Sequence, residues 1–190
     1  KNKLMKISNA LRAYNDSQDE DSMAGSKKKE SNRPKVRYIE GESMNSIWVN
    51  RSLGIDPATG NEIFKARNGD IVSEWSTANY VIGGCTDSDV EGTFGTNFTW
   101  KGLSLNMTFR YRIGGQMYNQ TLVDKIENAD ICYNVDRRAG GPDRWSPTNR
   151  YAKYKGMELL NQETPMSTRF LQKYNEFVFS SVSIGYRFEA

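Results

Sequence analysis

The sequence predicts an all-β fold, part of an antiparallel sheet with long polar loops, and three observations support this. First, segments 92–100, 103–113 and 177–188 alternate apolar and polar residues with a period of two, the period of a β-strand. Second, aromatic residues are numerous (8 Phe, 4 Trp and 10 Tyr), although apolar residues make up only 37% of the chain. Third, no apolar run approaches the ~18 residues of a transmembrane helix.

Composition excludes several kinds of catalytic and metal site, and no cofactor is expected. The chain has no histidine, which excludes Ser-His-Asp and Cys-His catalysis and every histidine-bearing zinc site. With only Cys85 and Cys132, it can form neither a four-cysteine zinc site nor a cysteine-dense scaffold. The net charge of +3 is too small to indicate nucleic acid. In addition, the basic block at 27–37 lacks interleaved aromatic residues and adjoins an acidic block at 16–21.

The first 90 residues are expected to be mostly loop. Apolar residues at helical spacing indicate one or two helical turns within residues 1–14. The two charged blocks that follow predict a solvated, flexible loop, and the alternative is a patch for a polyanion or a lipid headgroup. Residues 38–90 are expected to form a folded loop without its own core. They include a tight turn at 56–60 and a small hairpin that joins 63–65 to 71–72.

A long β-hairpin is predicted around the two-residue turn Lys101-Gly102, followed much later by a third strand. The arms of the hairpin exceed the roughly 5 to 6 residues that are usual for globular strands. Its apolar face consists of Phe94, Phe98, Trp100, Leu103, Leu105, Met107, Phe109, Tyr111 and Ile113. In the third strand, the apolar face is assigned to Val178, Val182, Ile184, Tyr186 and Phe188.

The length and the two faces of these strands favour a transmembrane β-barrel. A strand needs about 9 to 11 residues to cross the hydrocarbon of a membrane, and barrels carry aromatic girdles at both interfaces. The opposite face carries Arg110, Arg112 and Arg187, which are tolerated in a polar lumen and are costly in lipid. The alternative is a soluble β-sandwich or half-exposed sheet, in which the same alternation packs one face on a core.

Loop length predicts the orientation of the strands. Barrels of the outer membrane have short periplasmic turns and long extracellular loops. The turn at 101–102 is therefore predicted to be periplasmic, and 1–91 and 114–176 to be extracellular loop regions. The hairpin at 92–113 and the strand at 177–188 would cross the membrane. Because the smallest barrels have about 8 strands, the chain is predicted to be a fragment of one barrel domain.

Four segments carry a resemblance to a known family. They are SIWVNRSLGIDPATGNEIF (46–64), GTFGTNFTWKGLSLNMTFRYRIGGQMYNQTLVDKIENAD (92–130), YNVDRRAGGPDRW (133–145) and SSVSIGYRF (180–188). These segments resemble the C-terminal barrel region of SusC/RagA-type TonB-dependent outer-membrane transporters of Bacteroidetes. The match covers most of the chain, and its least typical part is the charged stretch at 16–37.

The resemblance implies a nutrient importer of the bacterial outer membrane and not an enzyme. In this family a barrel of about 22 strands encloses an N-terminal plug. The TonB complex acts on the N-terminal region, a SusD-like surface lipoprotein forms a lid, and oligosaccharides or peptides are taken up. Two transporter–lipoprotein units usually form a dimer. The rival interpretations are a soluble carbohydrate-binding β domain and a siderophore-type TonB-dependent receptor without a lid.

The resemblance also suggests which loop residues to consider. Extracellular loops of the family line the substrate cavity and meet the lid, which makes Tyr133, Arg138, Arg144 and Trp145 candidates for contact with substrate or lid. The competing explanation is internal bracing by Arg–Asp pairs, in which Arg137 or Arg138 pairs with Asp136 or Asp143.

Two further groups of residues have side chains suited to cross-linking or to metal binding. Cys85 and Cys132 would both be extracellular, where oxidation is allowed, and could form a disulfide if their loops touch. Asp87, Asp89 and Glu91 are spaced like the acids of a calcium loop, but the EF-hand pattern is incomplete, so no metal site is predicted.

Overall fold

β-Strands dominate the regular structure of this protein, as the sequence predicted. A computed structural model describes residues 2–23, 32–130, 132–133, 136–159 and 164–188. The chain divides into two units. The first unit comprises Lys1–Cys85 and Tyr118–Gln172, and the second comprises Thr86–Met117 and Lys173–Ala190.

A four-stranded antiparallel sheet organises the first unit. Its strands are β1 (Ser46–Ile55), β2 (Glu62–Lys65), β3 (Ile71–Val72) and β4 (Tyr80–Cys85), in the order β3-β2-β1-β4. The predicted turn at 56–60 joins β1 to β2, and the predicted small hairpin is β2–β3. Both predictions are confirmed.

This unit has a hydrophobic core, which corrects the expectation that 38–90 lacks one. Ile47, Trp48 and Val49 of β1 are buried together with Tyr80 and Met166. Met166 comes from a distant part of the chain, where Asn50 donates a backbone hydrogen bond to its carbonyl oxygen (3.4 Å). The core was not evident from the sequence because Ile47, Trp48 and Val49 form only a short apolar run, which Tyr80 and Met166 join from distant positions in the chain.

A helix, α1 (Asn9–Met23), lies further along the chain than predicted. It contains the acidic block, so the prediction of a solvated loop is wrong there. Asp19 forms an ion pair with Arg37, while Asn15 exchanges two hydrogen bonds with the backbone of Tyr38 (2.8 and 3.1 Å). These contacts hold a polar helix that has little apolar surface of its own. Lys27, Lys28 and Lys29 of the basic block lie outside the described residues.

Two short helices follow the long hairpin. Residues Gln120–Leu122 form α2, which continues as a further helical turn over Val123–Glu127. That turn buries Val123, Ile126 and Glu127, although the wide spacing of apolar residues in the sequence argued against an amphipathic helix here. The third helix, α3 (Arg137–Gly140), is a single turn in which the Asp136 side chain accepts from the backbone N–H of Arg138.

A three-stranded sheet makes up most of the second unit, with β5 (Val90–Trp100), β6 (Leu103–Tyr118) and β7 (Leu171–Tyr186) in the order β5-β6-β7. The strand-end residues Tyr118, Leu171 and Gln172 belong to the first unit. The β5–β6 hairpin is antiparallel and pairs Trp100 with Leu103 and Phe94 with Phe109. Its turn has positive φ at Lys101 (43°) and Gly102 (83°), as two-residue hairpin turns often require. The predicted long hairpin and third strand are therefore confirmed.

The strands are longer than the sequence indicated. Strand β6 continues past Gly114, where the alternation was expected to end, because this glycine adopts φ 89° and its N–H donates to Asn175 Oδ1 (3.0 Å). Strand β7 begins at Leu171 instead of Phe177. Among the described residues, no helix is long and apolar enough to cross a membrane.

The facing of β7 also differs from the prediction. Phe177 and Phe179 were assigned to the face opposite the apolar one, yet both rings contact Phe109 on the apolar face of the hairpin (5.6 and 5.0 Å between centroids). Parity within one strand fixes only which residues share a side. Parity does not fix which of the two sides lies on the same face of the sheet as the apolar residues of β6, so the sequence could not decide this point.

Candidate functional site

The first unit contains a half-open cavity of about 340 Å³ that holds four charged side chains. We call it the ion-pair cavity. Its walls come from β2 and the residue before it, from the segment after β3, from the turn after α2, from Lys155 and from residues 164–169. The lining residues are Asn61, Glu62, Phe64, Ser73, Trp75, Glu127, Lys155, Thr164, Pro165 and Arg169.

Arg169 forms the centre of the cavity's charge network. Its guanidinium pairs with both oxygens of Glu127 (2.7 and 3.1 Å) and with Glu62 Oε2 (3.0 Å). It also donates to the carbonyl oxygen of Lys153 (2.7 Å). Burial opposes the positive charge, but Glu62 and Glu127 outweigh burial and raise the pKa of Arg169. The network therefore fixes three largely buried charges in one place.

Glu127 links this network to Lys155. The Glu127 side chain is fully buried, and its Oε1 also accepts from the backbone N–H of Lys155 (3.3 Å). The Lys155 ammonium donates to Asn128 Oδ1 (2.8 Å), which also accepts from Thr164. Burial lowers the pKa of Lys155 to about 8, against the opposing effect of the Glu127 carboxylate.

Two buried polar atoms of the network lack hydrogen-bond partners among the described residues, and the ring of Trp75 lines the same cavity. Glu62 Oε1 and Arg169 Nε are buried without a hydrogen-bond partner in the described part of the chain, and the Glu62 side chain is only 7% exposed. The Trp75 ring is fixed because its Nε1 donates to the carbonyl oxygen of Met166 (3.2 Å). The cavity thus combines a network of paired charges with a rigid aromatic wall.

Arg144, predicted to contact a ligand or a lid, is instead buried at 4% exposure. Its guanidinium donates to the carbonyl oxygens of Ala139, Ile126, Glu127 (3.2 Å) and Lys155 (3.0 Å). Burial lowers its pKa. Arg144 is therefore a brace between chain segments, because a buried guanidinium surrounded by backbone oxygens is not available at the surface.

Arg138 forms the ion pair that the sequence offered as the alternative. Its guanidinium contacts Asp136 Oδ1 and Oδ2 (3.1 and 2.8 Å). These hydrogen bonds lower the pKa of Asp136 to about 2. The pair lies at the surface, beside the start of α3.

The other two predicted contact residues differ in exposure. Trp145 is half-buried, its Nε1 donates to the carbonyl oxygen of Pro57 (3.1 Å), and its ring lies against Gly60 of the β1–β2 turn. Tyr133 is 85% exposed. Tyr151, which the sequence did not single out, is 90% exposed. No sequence pattern points to Tyr151, since it belongs to no apolar alternation.

The structure does not join Cys85 and Cys132 by a disulfide. Cys85 ends β4 and pairs with Ser46, whereas Cys132 is exposed and its N–H donates to Asp130. The two cysteines therefore belong to different local structures. Across the described ranges, no three Cys, Asp or Glu side chains come together as a metal site.

Comparison with known proteins gives one kind of match. No protein-family model matches the chain, and no curated protein matches it either. Solved structures of the RagAB peptide importer do match. The "closed-closed" state superposes with a TM-score of 0.63, at 22% identity, over 78% of this chain and 17% of that chain. A structure of the RagAB peptide transporter gives a TM-score of 0.63 at 22% identity, over 78% of this chain and 16% of that chain. The "open-open" state of the importer gives a TM-score of 0.58 at 19% identity, over 77% of this chain and 16% of that chain.

This similarity establishes the fold. The chain spans only 16–17% of the length of the RagAB chains that it matches. At 22% identity or less, the match shows that these residues adopt an architecture found in part of those chains.

Proposed function

We propose that this chain is a barrel segment of an outer-membrane, TonB-dependent importer of the SusC/RagA type, and that the importer takes up peptides. The observation that carries the proposal is the shared fold with RagAB chains over 78% of the sequence. Peptides are preferred to oligosaccharides because the structures that match are described as peptide importers. No enzymatic activity is proposed.

An aromatic face on the second unit supports contact with lipid. Phe94 stacks on Phe109 (5.0 Å between centroids), and Phe109 contacts Phe177 and Phe179 on the next strand. About half or more of the surface of Phe94, Phe177 and Phe179 is exposed. Such a continuous exposed apolar surface requires a partner, and hydrocarbon is the partner that suits long amphipathic strands.

The opposite face of the hairpin suits a polar lumen. Arg112 pairs with Glu91 (3.4 Å) and Arg110 pairs with Glu176 (3.6 Å). Thr93 and Asn97 have the same parity on β5 as Glu91, and belong to this face. Paired charges and short polar side chains are compatible with water and protein, and they would be costly against lipid.

In this proposal the first unit is extracellular, together with its cavity and its exposed tyrosines. We propose that Tyr133, Tyr151 and Arg138 contact the substrate or a SusD-like lipoprotein lid. TonB would act through a region of the natural protein outside this chain. The transporter–lipoprotein unit would occur as a dimer.

The first test uses the natural protein that carries this chain, with an affinity tag, expressed in its own cells. We expect the protein in the outer-membrane fraction, with a surface lipoprotein copurifying in detergent. Deleting its gene should abolish growth on a peptide mixture as sole nitrogen source and leave growth on free amino acids unchanged. Recovery in the soluble fraction would favour the rival soluble β domain, and loss of growth on ferric siderophores alone would favour the rival receptor.

A further inference from the structure

The turn between β5 and β6 carries a lysine where the backbone conformation disfavours one. Lys101 has φ 43° and is the one non-glycine residue with positive φ in the described part of the chain. Two-residue hairpin turns favour Asn, Asp or Gly at this position, because positive φ is costly for other residues. At Gly102 (φ 83°), a Cβ would lie 2.7 Å from the carbonyl oxygen of Arg187. Position 101 is therefore the one position of this turn that can hold a side chain, and a strained residue at such a place suggests a functional role.

Exposed aromatic rings lie beside this lysine. Its Nζ is 5.3 Å from the centre of the Trp100 ring, within the range of a cation–π contact. The ring of Tyr186 lies against Gly102 and makes an edge-to-face contact with Phe188 (4.8 Å between centroids). More than half of the surface of each of these three aromatic residues is exposed. The turn end of the sheet is therefore an exposed aromatic cluster with an ammonium group at its edge.

Positive charge at this end of the sheet is not balanced by a nearby carboxylate of the described residues. Lys101 forms no ion pair with them, and the backbone N–H of Arg187 donates to the carbonyl oxygen of Gly102 (2.8 Å), which brings a second cationic residue beside the turn. The carboxylates in the described part of the second unit belong to Asp87, Asp89, Glu91 and Glu176. Along β5, residue 91 is about 30 Å from Trp100 at the rise of an extended strand. An anion from outside the sheet would therefore be attracted to the turn end.

A phospholipid fits this combination of rings and charge. Trp and Tyr rings are enriched at the boundary between hydrocarbon and water, and lysine side chains extend from that boundary toward the headgroups. The phosphate of a headgroup can accept from the Lys101 ammonium, while the acyl chain beside it contacts the Trp100 ring. A soluble anion such as free phosphate would gain nothing from the exposed rings, so the aromatic cluster favours a lipid.

We propose that the turn end of the second unit binds a phospholipid of the periplasmic leaflet, with the headgroup phosphate on Lys101. The membrane location and the leaflet rest on the proposed function, and the lipid site adds to it. The contact with phosphate would offset the cost of the positive φ at Lys101, which an asparagine would not incur.

The test is photochemical labelling of the natural protein, purified in detergent. The probe is a phosphatidylglycerol that carries a diazirine next to its phosphate, and peptic peptides from the turn region are analysed for attached lipid. The main variant is Lys101→Asn, which removes the charge and suits the turn better than lysine, so that unfolding cannot explain a loss of labelling. The matched control is Lys173→Asn, which removes an exposed lysine near the other end of β7. A diacylglycerol with the same diazirine is the probe without phosphate.

We expect the turn of Lys173→Asn to be labelled at a lipid concentration within twofold of that for the unsubstituted protein. Lys101→Asn should need about fivefold more lipid, the effect of one basic residue near an anionic lipid surface. Lys101→Arg, which keeps the charge, should restore labelling, and the diacylglycerol should label all of these proteins equally.

Three results would overturn the phosphate contact. They are equal labelling of Lys101→Asn and the unsubstituted protein, an equal loss with the diacylglycerol, and displacement of the lipid by the same concentration of inorganic phosphate. Failure of labelling in protein recovered from the outer membrane would overturn this inference alone. Recovery of the natural protein in the soluble fraction would overturn the proposed function and this inference with it.

Discussion

Arg144 and Arg169 are buried arginines of the first unit that are stabilised in different ways. Arg144 is surrounded by neutral carbonyl oxygens, and burial lowers its pKa. Arg169 is paired with two carboxylates, which raise its pKa despite burial. Removing Arg144 leaves neutral acceptors unsatisfied, whereas removing Arg169 leaves a buried carboxylate without its counter-charge.

Replacing Arg169 should therefore be strongly destabilising. We expect Arg169→Met to lower the free energy of unfolding by about 3–5 kcal/mol, because Glu127 is fully buried and would lose its counter-charge. The measurement is a urea titration followed by tryptophan fluorescence. Adding Glu127→Gln to this variant should recover part of the loss. If the double variant were less stable than the single one, the charge explanation would be wrong.

For Arg144, we expect Arg144→Ala to lower the free energy of unfolding by about 1–3 kcal/mol, since its carbonyl partners lose their donors. The control is Arg150→Ala, an exposed arginine whose removal should produce little change. The same urea titration measures both variants. Equal stability of the two would argue against a bracing role for Arg144.

Lys155 should make stability depend on pH. Its pKa is about 8 in the folded protein and near 10.5 when unfolded, so between these values the unfolded chain binds more protons. The stability contributed by this group is complete above pH 10.5 and is lost as the pH falls through 8. We expect the stability of the natural protein relative to Lys155→Met to rise between pH 8 and 10. A flat difference over this range would show that Lys155 titrates normally.

At the scale of elements, the two faces of the hairpin predict opposite responses to an added charge. Phe94, in the middle of β5, pairs with Phe109 on the aromatic face, and Asn97 of the same strand pairs with Asn106 on the polar face. In a membrane, Phe94→Lys should cost about 2–4 kcal/mol near the bilayer centre, and Asn97→Lys much less. The measurement is the fraction of natural protein that assembles in the outer membrane. Equal assembly of both variants would argue against lipid contact.

How far the sequence predicted each element depended on whether the signal was local. The strands β5 to β7 have long alternating patterns, and the β2–β3 hairpin has turn residues, so both were predictable. The four-stranded sheet was not, because β1 pairs with a short strand that starts at Tyr80 and its core includes Met166. The helix α1 lies further along the chain than predicted, since its acidic residues resemble a solvated loop in the sequence. The ion pair between Asp19 and Arg37 joins residues 18 positions apart and is not visible there.

The candidate site was even less visible in the sequence. Arg169 lies 107 residues after Glu62 and 42 residues after Glu127, so no motif joins them. The loop residues suggested by family resemblance included Arg144, whose burial could not be read from its neighbours. Exposure of Tyr151 and burial of Arg144 are both decided by tertiary packing and not by local pattern.

At the scale of the whole molecule, the proposed orientation can be tested by labelling cells. In a background of Cys85→Ser and Cys132→Ser, Tyr151→Cys should react with a membrane-impermeant maleimide on intact cells, because Tyr151 is exposed in a loop assigned to the outside. Lys101→Cys, at the turn assigned to the periplasm, should react only after the outer membrane is permeabilised. The reverse pattern would invert the proposed topology.

The first unit is interrupted in sequence by the long hairpin, and this affects how it folds. Its core joins β1 to residues near Met166 and Phe170, and Asn50 pairs with Ser167 only after the intervening chain has been synthesised. Closing so long a loop carries an entropic cost before any long-range contact forms, which slows folding. The charge network around Arg169 is therefore expected to assemble late, and partly folded chains would expose Trp48 and Val49 to chaperones and proteases in the meantime.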